Sequence, residues 1–168
     1  TLKDRWGNVN FYLFPFMKPG YVRPLLRAEG REYEDTYDGA FRAVLERETI
    51  DTLERNVILC HQFFTSSSGD PETCESETAV LTAGGLDAIG SSALDPFDYA
   101  ALGHIHGPQK AGRETVRYCG SPYKYSVSEE HHKKSVVMAE LAKKGEPAIL
   151  TFLPLSGIQD VRSVRGTL

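Results

Sequence analysis

Short apolar runs, separated by polar stretches that contain proline or glycine, form the main pattern of the chain. The first run, Val9–Pro15, is rich in aromatic and β-branched residues and predicts a strand that passes into a loop at Pro15. Two later runs, Val57–Cys60 and Tyr99–Leu102, are continuously apolar without alternation. Such runs are typical of strands that are buried on both faces of a sheet.

One stretch between these runs has helical periodicity. Asp38 is a residue type that caps helices, and four apolar residues after it fall on one face at helical spacing. The pattern predicts a helix over residues 38–53, although Ile50 lies off the apolar stripe. The preceding segment, Lys18–Tyr37, is polar and predicts irregular structure. The residues of the stripe are Phe41, Val44, Leu45 and Leu53.

The second half of the chain alternates short β-like runs with turns. These runs are Thr115–Cys119, Ser135–Leu141 and Ala148–Leu153, with Lys143-Lys144-Gly145 as the tip of a hairpin. The segment Thr65–Glu77 is polar and acidic, and it offers little to bury, so we expect a mobile loop there. Strand, helix, two buried strands and an antiparallel meander together predict a mixed sheet in an α/β protein rather than an all-β sandwich.

Length, composition and charge limit the functions that this fold can serve. The chain has 168 residues, of which 40% are hydrophobic, and this suits a single domain with a sizeable core. No apolar run is long enough to span a membrane, and we expect a cytoplasmic protein. The net charge of −4 excludes binding to nucleic acid by overall charge alone. Any contact with DNA must therefore be local, metal-assisted or made by other segments and partners.

The cysteines and the short motifs narrow the chemistry further. Cys60, Cys74 and Cys119 are odd in number and form no CxxC pair, which argues against a disulfide framework and a thiolate zinc site. We expect reduced thiols, with Cys60 and Cys119 inside apolar strands. The sequence contains no GxSxG motif and no GxxxxGK[ST] loop, so it supports neither a serine nucleophile nor ATP binding through a P-loop.

Three histidines come directly after the two buried strands. His61 follows the first of them, and His104 and His106 follow the second in the sequence Gly-His-Ile-His-Gly. Ligands of open α/β sheets bind beyond the carboxyl ends of the strands, so these side chains should converge. Neutral imidazoles suit zinc, manganese and iron, and a pair of metal ions suits phosphoester cleavage. The convergence favours a metal site at this edge of the sheet.

A structural explanation of each histidine stays open at this point. A single histidine at the end of a strand is more often a surface or core residue than a ligand, and His61 by itself carries little weight. The flanking Gly103 and Gly107 strengthen the case for the other two, because glycine lets the backbone approach an ion or phosphate closely. His131 and His132 lie in a charged run, Ser-Glu-Glu-His-His-Lys-Lys-Ser, which predicts a solvated turn.

Four segments carry a resemblance to a known family. Phe97–Gln109 (FDYAALGHIHGPQ) and Arg117–Glu129 (RYCGSPYKYSVSE) are similar to the carboxyl-side signature of SbcD-type exonuclease subunits. Leu59–Phe64 (LCHQFF) and Ala83–Tyr99 fit the same pattern in the same order. The Gly-His-x-His motif alone would indicate only the wider calcineurin-like metallophosphoesterase superfamily. The combination resembles the SbcD family over most of residues 8–153.

The resemblance implies a fold and a set of metal ligands. The implied fold is the second half of a four-layer α/β/β/α metallophosphoesterase sandwich, formed by residues 1–155, with residues 156–168 leading into a capping domain. The family holds two divalent ions, usually manganese. By motif, His61 and His104 would bind the second ion and His106 the first. The family's Asp-x-His, Gly-Asp-x-x-Asp and Asn-His-Asp motifs do not occur in the chain. We therefore expect a piece of a longer protein that contains no catalytic residue and is inactive alone.

The resemblance also implies an activity and partners. These are ATP-linked, metal-dependent exonuclease and endonuclease cleavage of DNA, in complex with an SbcC-type ATPase, in DNA repair, recombination and replication. Lys110, Lys124 and Tyr125 are candidates to contact the DNA backbone, and Gly120-Ser121-Pro122 would shape the wall of the cleft. Two alternatives remain: a metallophosphoesterase that acts on a small phosphoester or nucleotide, and a non-catalytic scaffold that retains the fold.

A final expectation concerns association. If the first half of the sandwich is absent, apolar sheet surface should be exposed and the strand Val57–Cys60 should lack one neighbour. Exposed apolar faces and unpaired strands favour self-association, so we expect a homo-oligomer. The three histidines would then lie on one rim and bind a zinc or nickel ion weakly.

Overall fold

A mixed six-stranded sheet forms the centre of the protein in the computed structural model, which describes residues 1–77, 88–157 and 159–166. The strand order is β1-β2-β3-β6-β8-β7, and two further pairs, β4-β5 and β9-β10, lie outside this sheet. The predicted α/β class with a mixed sheet is thereby confirmed, and it is compatible with a metallophosphoesterase-type fold. The strands are β1 (Leu2–Asp4), β2 (Gly7–Phe14), β3 (Arg55–His61), β4 (Phe64–Thr65), β5 (Ile89–Gly90), β6 (Tyr99–Gly103), β7 (Gln109–Ala111), β8 (Arg113–Tyr118), β9 (Ser135–Glu140) and β10 (Ile149–Pro154); the helices are α1 (Pro19–Ala28) and α2 (Tyr37–Leu45).

The strands predicted from apolar runs are confirmed. β2, β3, β6 and β8 run parallel to one another, and the two predicted buried strands are direct neighbours, with Ile58 opposite Ala100. β3 is paired on both sides, with β2 and with β6. The expectation that Val57–Cys60 would lack a neighbour was therefore wrong, because the strand formed by Val9–Pro15 fills that place.

The helical predictions were partly wrong. α1 occupies residues that were expected to be irregular, and it buries Val22 and Leu26 although Pro24 lies inside it. α2 ends at Leu45 rather than at residue 53, and its N-cap is Thr36, whose side chain accepts a hydrogen bond from the backbone N–H of Gly39. Asp38 lies in the first turn instead and pairs with Arg42 at 2.6 Å.

The two faces of the sheet differ in burial. On the helix-covered face, Phe41 of α2 packs with Ile58, Ala100 and Tyr118, all fully buried. On the other face, Leu59 of β3 is 41% exposed and Leu13, opposite it on β2, is 71% exposed. The prediction that the central strands are buried on both faces was thus wrong at Leu59. The expectation of exposed apolar sheet surface is met by Phe11, Leu13 and Leu59.

The predicted antiparallel hairpin is formed by β9 and β10, which pair over their full length. Its tip contains Gly145, with a positive φ of 88° that favours glycine. Arg117 of β8 lies over the Phe152 ring of β10, 4.8 Å from the centroid, and Lys144 near the tip pairs with Asp98 at 2.8 Å. The hairpin therefore packs beside β8, on the face of the sheet that carries Leu59.

Two further sequence predictions need correction. Thr65–Glu77 was expected to bury little, but Cys74 and Glu77 are buried. The Glu77 carboxylate accepts hydrogen bonds from the backbone N–H groups of Cys74 and His106. Cys119 lies just beyond β8 and is exposed, whereas Cys60 is buried as predicted. Part of the segment Ala83–Tyr99 falls outside the described residues. The division at residue 155 stays a prediction.

Among the described residues, no helix has the length and hydropathy that a membrane span requires.

Tyr118 ties β8 to the chain that leaves β3. Its hydroxyl donates a hydrogen bond to the Gln62 carbonyl at 3.0 Å and accepts one from the Phe64 N–H at 2.6 Å. The ring is fully buried, and the hydroxyl satisfies two backbone groups that would otherwise lack partners. The turn after His61 is thus held by a side chain from two strands away.

Candidate metal-binding edge of the sheet

Three parallel strands end at one edge of the sheet, where the predicted ligands lie. Phe14 at the end of β2 is opposite Cys60, and His61 at the end of β3 is opposite Gly103 at the end of β6. Side chains that follow these strands are therefore neighbours in space although 42 or more positions separate them in sequence. The predicted convergence is confirmed for His61 and His104.

The imidazoles of His61 and His104 are nearly perpendicular, at 86°, with ring centroids 5.3 Å apart. His61 reaches this place because residue 103 is glycine. A Cβ atom at position 103 would stand 2.6 Å from His61 Nδ1, well inside van der Waals contact. The glycine before the histidine motif thus makes room for the ring of the other histidine.

His104 has an uncommon backbone conformation. Its φ is 110°, and it is the only non-glycine residue with positive φ among the described residues. Such a conformation costs on the order of 1–3 kcal/mol for a residue with a Cβ and is concentrated at functional sites. Phe16, two residues beyond β2, stacks on the His104 ring at 5.9 Å with an interplanar angle of 10°. A strained backbone and a stacked aromatic ring together orient this imidazole.

His106 contacts a different group of side chains. Its Nδ1 lies 3.1 Å from Ser76 Oγ and 3.2 Å from Glu129 Oε1, and its backbone N–H donates to the Glu77 carboxylate. Its carbonyl accepts hydrogen bonds from the Ser121 N–H at 3.1 Å and from Lys134 Nζ at 3.0 Å. Buried Ile105 separates it from His104, so the two histidines of the motif have separate surroundings.

Glu129 and Lys134 form a buried ion pair beside His106. Glu129 Oε2 and Lys134 Nζ are 2.7 Å apart, and both side chains are almost completely buried. Burial raises the pKa of Glu129, but hydrogen bonds from Lys134, Ser76 and His106 outweigh it and lower that pKa to about 2. The charged run was predicted to be a solvated turn, and this was wrong for Glu129 and Lys134, although His131 is 90% exposed.

The donor atoms can be compared with the needs of divalent ions. The nitrogen ligands of one zinc ion each lie about 2.1 Å from it, so they stand within roughly 4 Å of each other. The rings of His61 and His104 are neighbours, with centroids 5.3 Å apart, but among the described residues they are not part of a group of three or more possible ligand side chains. Ligand atoms of Cys74, His106 and Glu129 lie within 4.8 Å of one another. That group fits an ion poorly, because Glu129 is already paired with the Lys134 ammonium and burial raises the pKa of the Cys74 thiol.

The predicted DNA-contacting residues have different surroundings. Lys110 pairs with Glu114 at 2.6 Å, and Lys124 pairs with Asp160 at 2.8 Å. Tyr125 is 61% exposed, and its ring centroid lies 5.4 Å from that of His106. Tyr125 is thus the one of the three that borders a predicted ligand. The role of all three in DNA binding stays a prediction.

The predicted wall of the cleft, Gly120-Ser121-Pro122, lies against His106. Gly120 has a φ of 81°, and a Cβ there would stand 2.7 Å from the His106 carbonyl oxygen. Ser121 contacts the same oxygen through its N–H and binds Lys134 Nζ through its hydroxyl at 2.8 Å. This loop therefore braces the second histidine of the motif.

The sequence did not reveal Phe16, Glu77, Glu129 and Lys134 as residues of the site. Phe16 follows a strand at the same edge as His61, so its position after Val9–Pro15 was a usable signal. The three charged residues gave none, because charged residues are mostly exposed and only their long-range partners bring them inside.

The fold and the edge geometry give the class of protein: an α/β protein with a mixed sheet, compatible with the metallophosphoesterase type, with imidazoles where the parallel strands end. No family model matches the chain. Several curated relatives carry the name of the SbcD subunit of nuclease SbcCD, which is more specific than the fold class. The chain is 28% identical to that protein of Staphylococcus epidermidis over 162 residues, which are 95% of the chain and 41% of the relative.

Two other relatives with the same name give a similar result. Identity to the Staphylococcus saprophyticus protein is 28% over 162 residues, covering 95% of the chain and 40% of the relative. Identity to the Bacillus subtilis protein is 36% over 118 residues, covering 68% of the chain and 29% of the relative. The resemblance to SbcD-type nuclease subunits is therefore confirmed. The chain spans about two fifths of the length of the first two relatives.

Proposed function

We propose that the chain supplies part of the two-metal centre of a nuclease that hydrolyses phosphodiester bonds in DNA. The observation that carries this proposal is the pairing of His61 and His104, 5.3 Å apart, at the carboxyl edge of parallel strands. Two imidazoles brought together from distant parts of a sequence, one on a strained backbone, are better explained by a shared ligand than by packing.

The three histidines would divide between two ions. His61 and His104 would hold one divalent ion, and His106, whose contacts run to other side chains, would hold the second. Manganese is the ion that the family resemblance implies, and imidazole nitrogen is a suitable ligand for it. When bound, such an ion pair supplies an activated water and neutralises charge on the phosphate.

The residues of the chain would then act as ligands and as supports for the ligands. Gly103 leaves space for His61, and Phe16 stacks on the His104 ring. The loop Gly120-Ser121-Pro122 holds the His106 backbone through the Ser121 N–H. Tyr125 stands at the His106 side and is exposed enough to meet a DNA strand. Lys110 and Lys124 would need to exchange their acidic partners for phosphates to do the same.

The partners proposed are DNA and an SbcC-type ATPase, in agreement with the name of the relatives, and the biological role is DNA repair, recombination and replication. The chain offers histidines but no bridging carboxylate by motif, and two ions need negative ligands as well as nitrogen. We therefore propose that cleavage requires further ligand-bearing sequence. Manganese-dependent DNA cleavage by the purified chain, abolished by His106→Ala, would contradict this part.

Zinc titration of the 168-residue chain by calorimetry tests the ligand assignment. We expect weak binding at two places, one at His61 and His104 and one at His106. The first should lose at least about tenfold in affinity on His61→Ala or His104→Ala, because each removes one of few ligands. His131→Ala is the matched control, since that ring is 90% exposed and pairs with Glu130. Equal affinity in wild type and in both ligand variants would contradict the site and favour a non-catalytic scaffold.

A further inference from the structure

Every polar group of the His106 backbone, and its Nδ1 atom, contacts a buried charged side chain. Glu77 accepts from the backbone N–H, Lys134 donates to the carbonyl at 3.0 Å, and Glu129 Oε1 lies 3.2 Å from Nδ1. These three side chains belong to residues that are 5%, 8% and 0% exposed. Burying charges costs free energy that apolar packing would not, so stability alone does not account for their convergence on one residue.

The direction of the hydrogen bonds determines which nitrogen of His106 carries the proton. The Ser76 hydroxyl can donate to Glu129 Oε1 at 2.8 Å, and in that arrangement its oxygen lone pairs face His106 Nδ1 at 3.1 Å. The Glu129 carboxylate also accepts and does not donate. Because Glu129 Oε1, at 3.2 Å from Nδ1, can only accept, this arrangement favours the proton on Nδ1 and leaves the lone pair of the neutral ring on Nε2.

Both oxygens of Glu129 already bind protein groups. Its Oε2 accepts from Lys134 Nζ at 2.7 Å, and its Oε1 accepts from Ser76 and lies 3.3 Å from the Tyr125 N–H. Lys134 also donates to Ser121 Oγ and so joins the carboxylate to the loop that braces His106. The contacts of Glu129 thus suit the orientation of a ligand and do not suit ligation.

We propose that Glu129 is a positioning residue that holds His106 as the Nδ1–H tautomer and so presents Nε2 to a divalent metal ion. The inference rests on the proposed function, in which His106 is a ligand. A carboxylate behind a ligating imidazole fixes the tautomer and the ring orientation, and its loss typically lowers metal affinity about 10–100-fold. The buried pair with Lys134 keeps that carboxylate in place without leaving a charge uncompensated.

Nuclear magnetic resonance tests the tautomer directly in the ¹⁵N-labelled chain. At a pH of about 8, where imidazoles are neutral, two-bond ¹H–¹⁵N correlations distinguish the two tautomers of each histidine. We expect His106, assigned by its absence in His106→Ala, to show protonated Nδ1 and unprotonated Nε2. An Nε2–H tautomer in the wild-type chain would overturn the proposal, and this measurement needs no variant that must fold.

The variant Glu129→Gln tests the cause of the tautomer, since it keeps the shape of the side chain and removes its charge. We expect the His106 Nδ1 resonance to shift toward a mixture of tautomers. Glu130→Gln is the matched control, because Glu130 contacts the Ser163 N–H at 2.8 Å and has no contact with His106. An unchanged His106 spectrum in folded Glu129→Gln would also overturn the proposal.

Metal affinity separates this proposal from the one on which it rests. Zinc titration should show a loss of about 10–100-fold on His106→Ala and a loss in the same range on Glu129→Gln. If His106→Ala binds zinc as wild type does, the ligand role of His106 fails, whatever the tautomer. If His106→Ala weakens binding and Glu129→Gln does not, the ligand role stands and the positioning role of Glu129 fails.

Discussion

His61 Nδ1 lies 2.6 Å from the point where a side chain on Gly103 would begin, so the two residues exclude each other's bulk at the end of neighbouring strands. Residue 103 does not have positive φ, and the reason for glycine here is space and not backbone conformation. The His61 imidazole can therefore occupy its position only because residue 103 has no side chain.

Gly103→Ala should therefore displace the His61 ring. We expect a loss of about tenfold or more in zinc affinity, with a change of less than about 1 kcal/mol in the free energy of unfolding, because His61 is exposed and can rotate outward. Calorimetric titration and urea unfolding measure the two effects. Gly20→Ala, in the first turn of α1 with nothing within 4 Å of its Cβ, is the control and should leave zinc affinity unchanged.

The backbone of His104 allows a test in which glycine is more favourable than alanine. Both His104→Gly and His104→Ala remove the ring, but only glycine accommodates a φ of 110° without strain. We expect the glycine variant to be more stable than the alanine variant by about 1 kcal/mol in chemical denaturation.

The same pair of substitutions at His61 provides the control for His104. His61 is in β3 with ordinary backbone geometry, so alanine should be the more stable there, by roughly 0.5–1 kcal/mol. If alanine were the more stable substitution at both positions, the backbone of His104 would not be strained.

The buried thiol of Cys60 should make stability depend on alkaline pH. Burial raises the pKa of Cys60 from 9.0 to about 12, so between these values the thiol stays protonated in the folded chain and ionises in the unfolded chain. Its contribution to stability is complete below about pH 9 and is lost as pH rises toward 12, by up to about 1.4 kcal/mol per pH unit.

Urea unfolding of Cys60→Ala at several pH values checks the effect of the thiol. Burial also raises the pKa of Tyr99, so the difference between wild type and variant, rather than the slope of either, isolates the thiol. We expect that difference to shrink above about pH 9. Cys119→Ala, at an exposed cysteine, should show no such trend.

The exposed apolar face should lead to self-association. Leu13 and Leu59 are directly opposite each other on β2 and β3, and they are 71% and 41% exposed. We expect concentration-dependent mass in sedimentation experiments, reduced by the double substitution Leu13→Lys with Leu59→Lys. Leu53→Lys is the control, because Leu53 is 84% exposed and lies outside the sheet. A monomer at all concentrations would refute the expected homo-oligomer.

The sequence predicted the central strands because their apolar runs report burial directly. Val57–Cys60 and Tyr99–Leu102 became neighbouring parallel strands, and the histidines after them met as expected. α1 was not predicted, because it contains Pro24 and buries only Val22 and Leu26, which is too short an apolar pattern to indicate a helix. α2 was made too long because periodicity continues past Leu45, where the chain stops being helical.

The surroundings of His106 were less predictable for a physical reason. Glu129 and Lys134 lie in a charged run that is hydrophilic by any local measure, and only the contacts with Ser76 and His106 explain their burial. Such contacts join residues 23 or more positions apart and leave no periodic trace in the sequence. The histidines at the strand ends were therefore predictable from the sequence, and the residues that orient His106 were not.

The hydroxyl of Tyr118 gives the edge that carries His61 a place in the order of folding. The chain after His61 is held by a residue 54 to 56 positions later, so the turn that carries Gln62 and Phe64 has its partner only when β8 has joined the sheet. Contacts of such long sequence separation form late, because the loop between them must close first. During synthesis on the ribosome, His61 therefore emerges before the residue that holds the turn after it.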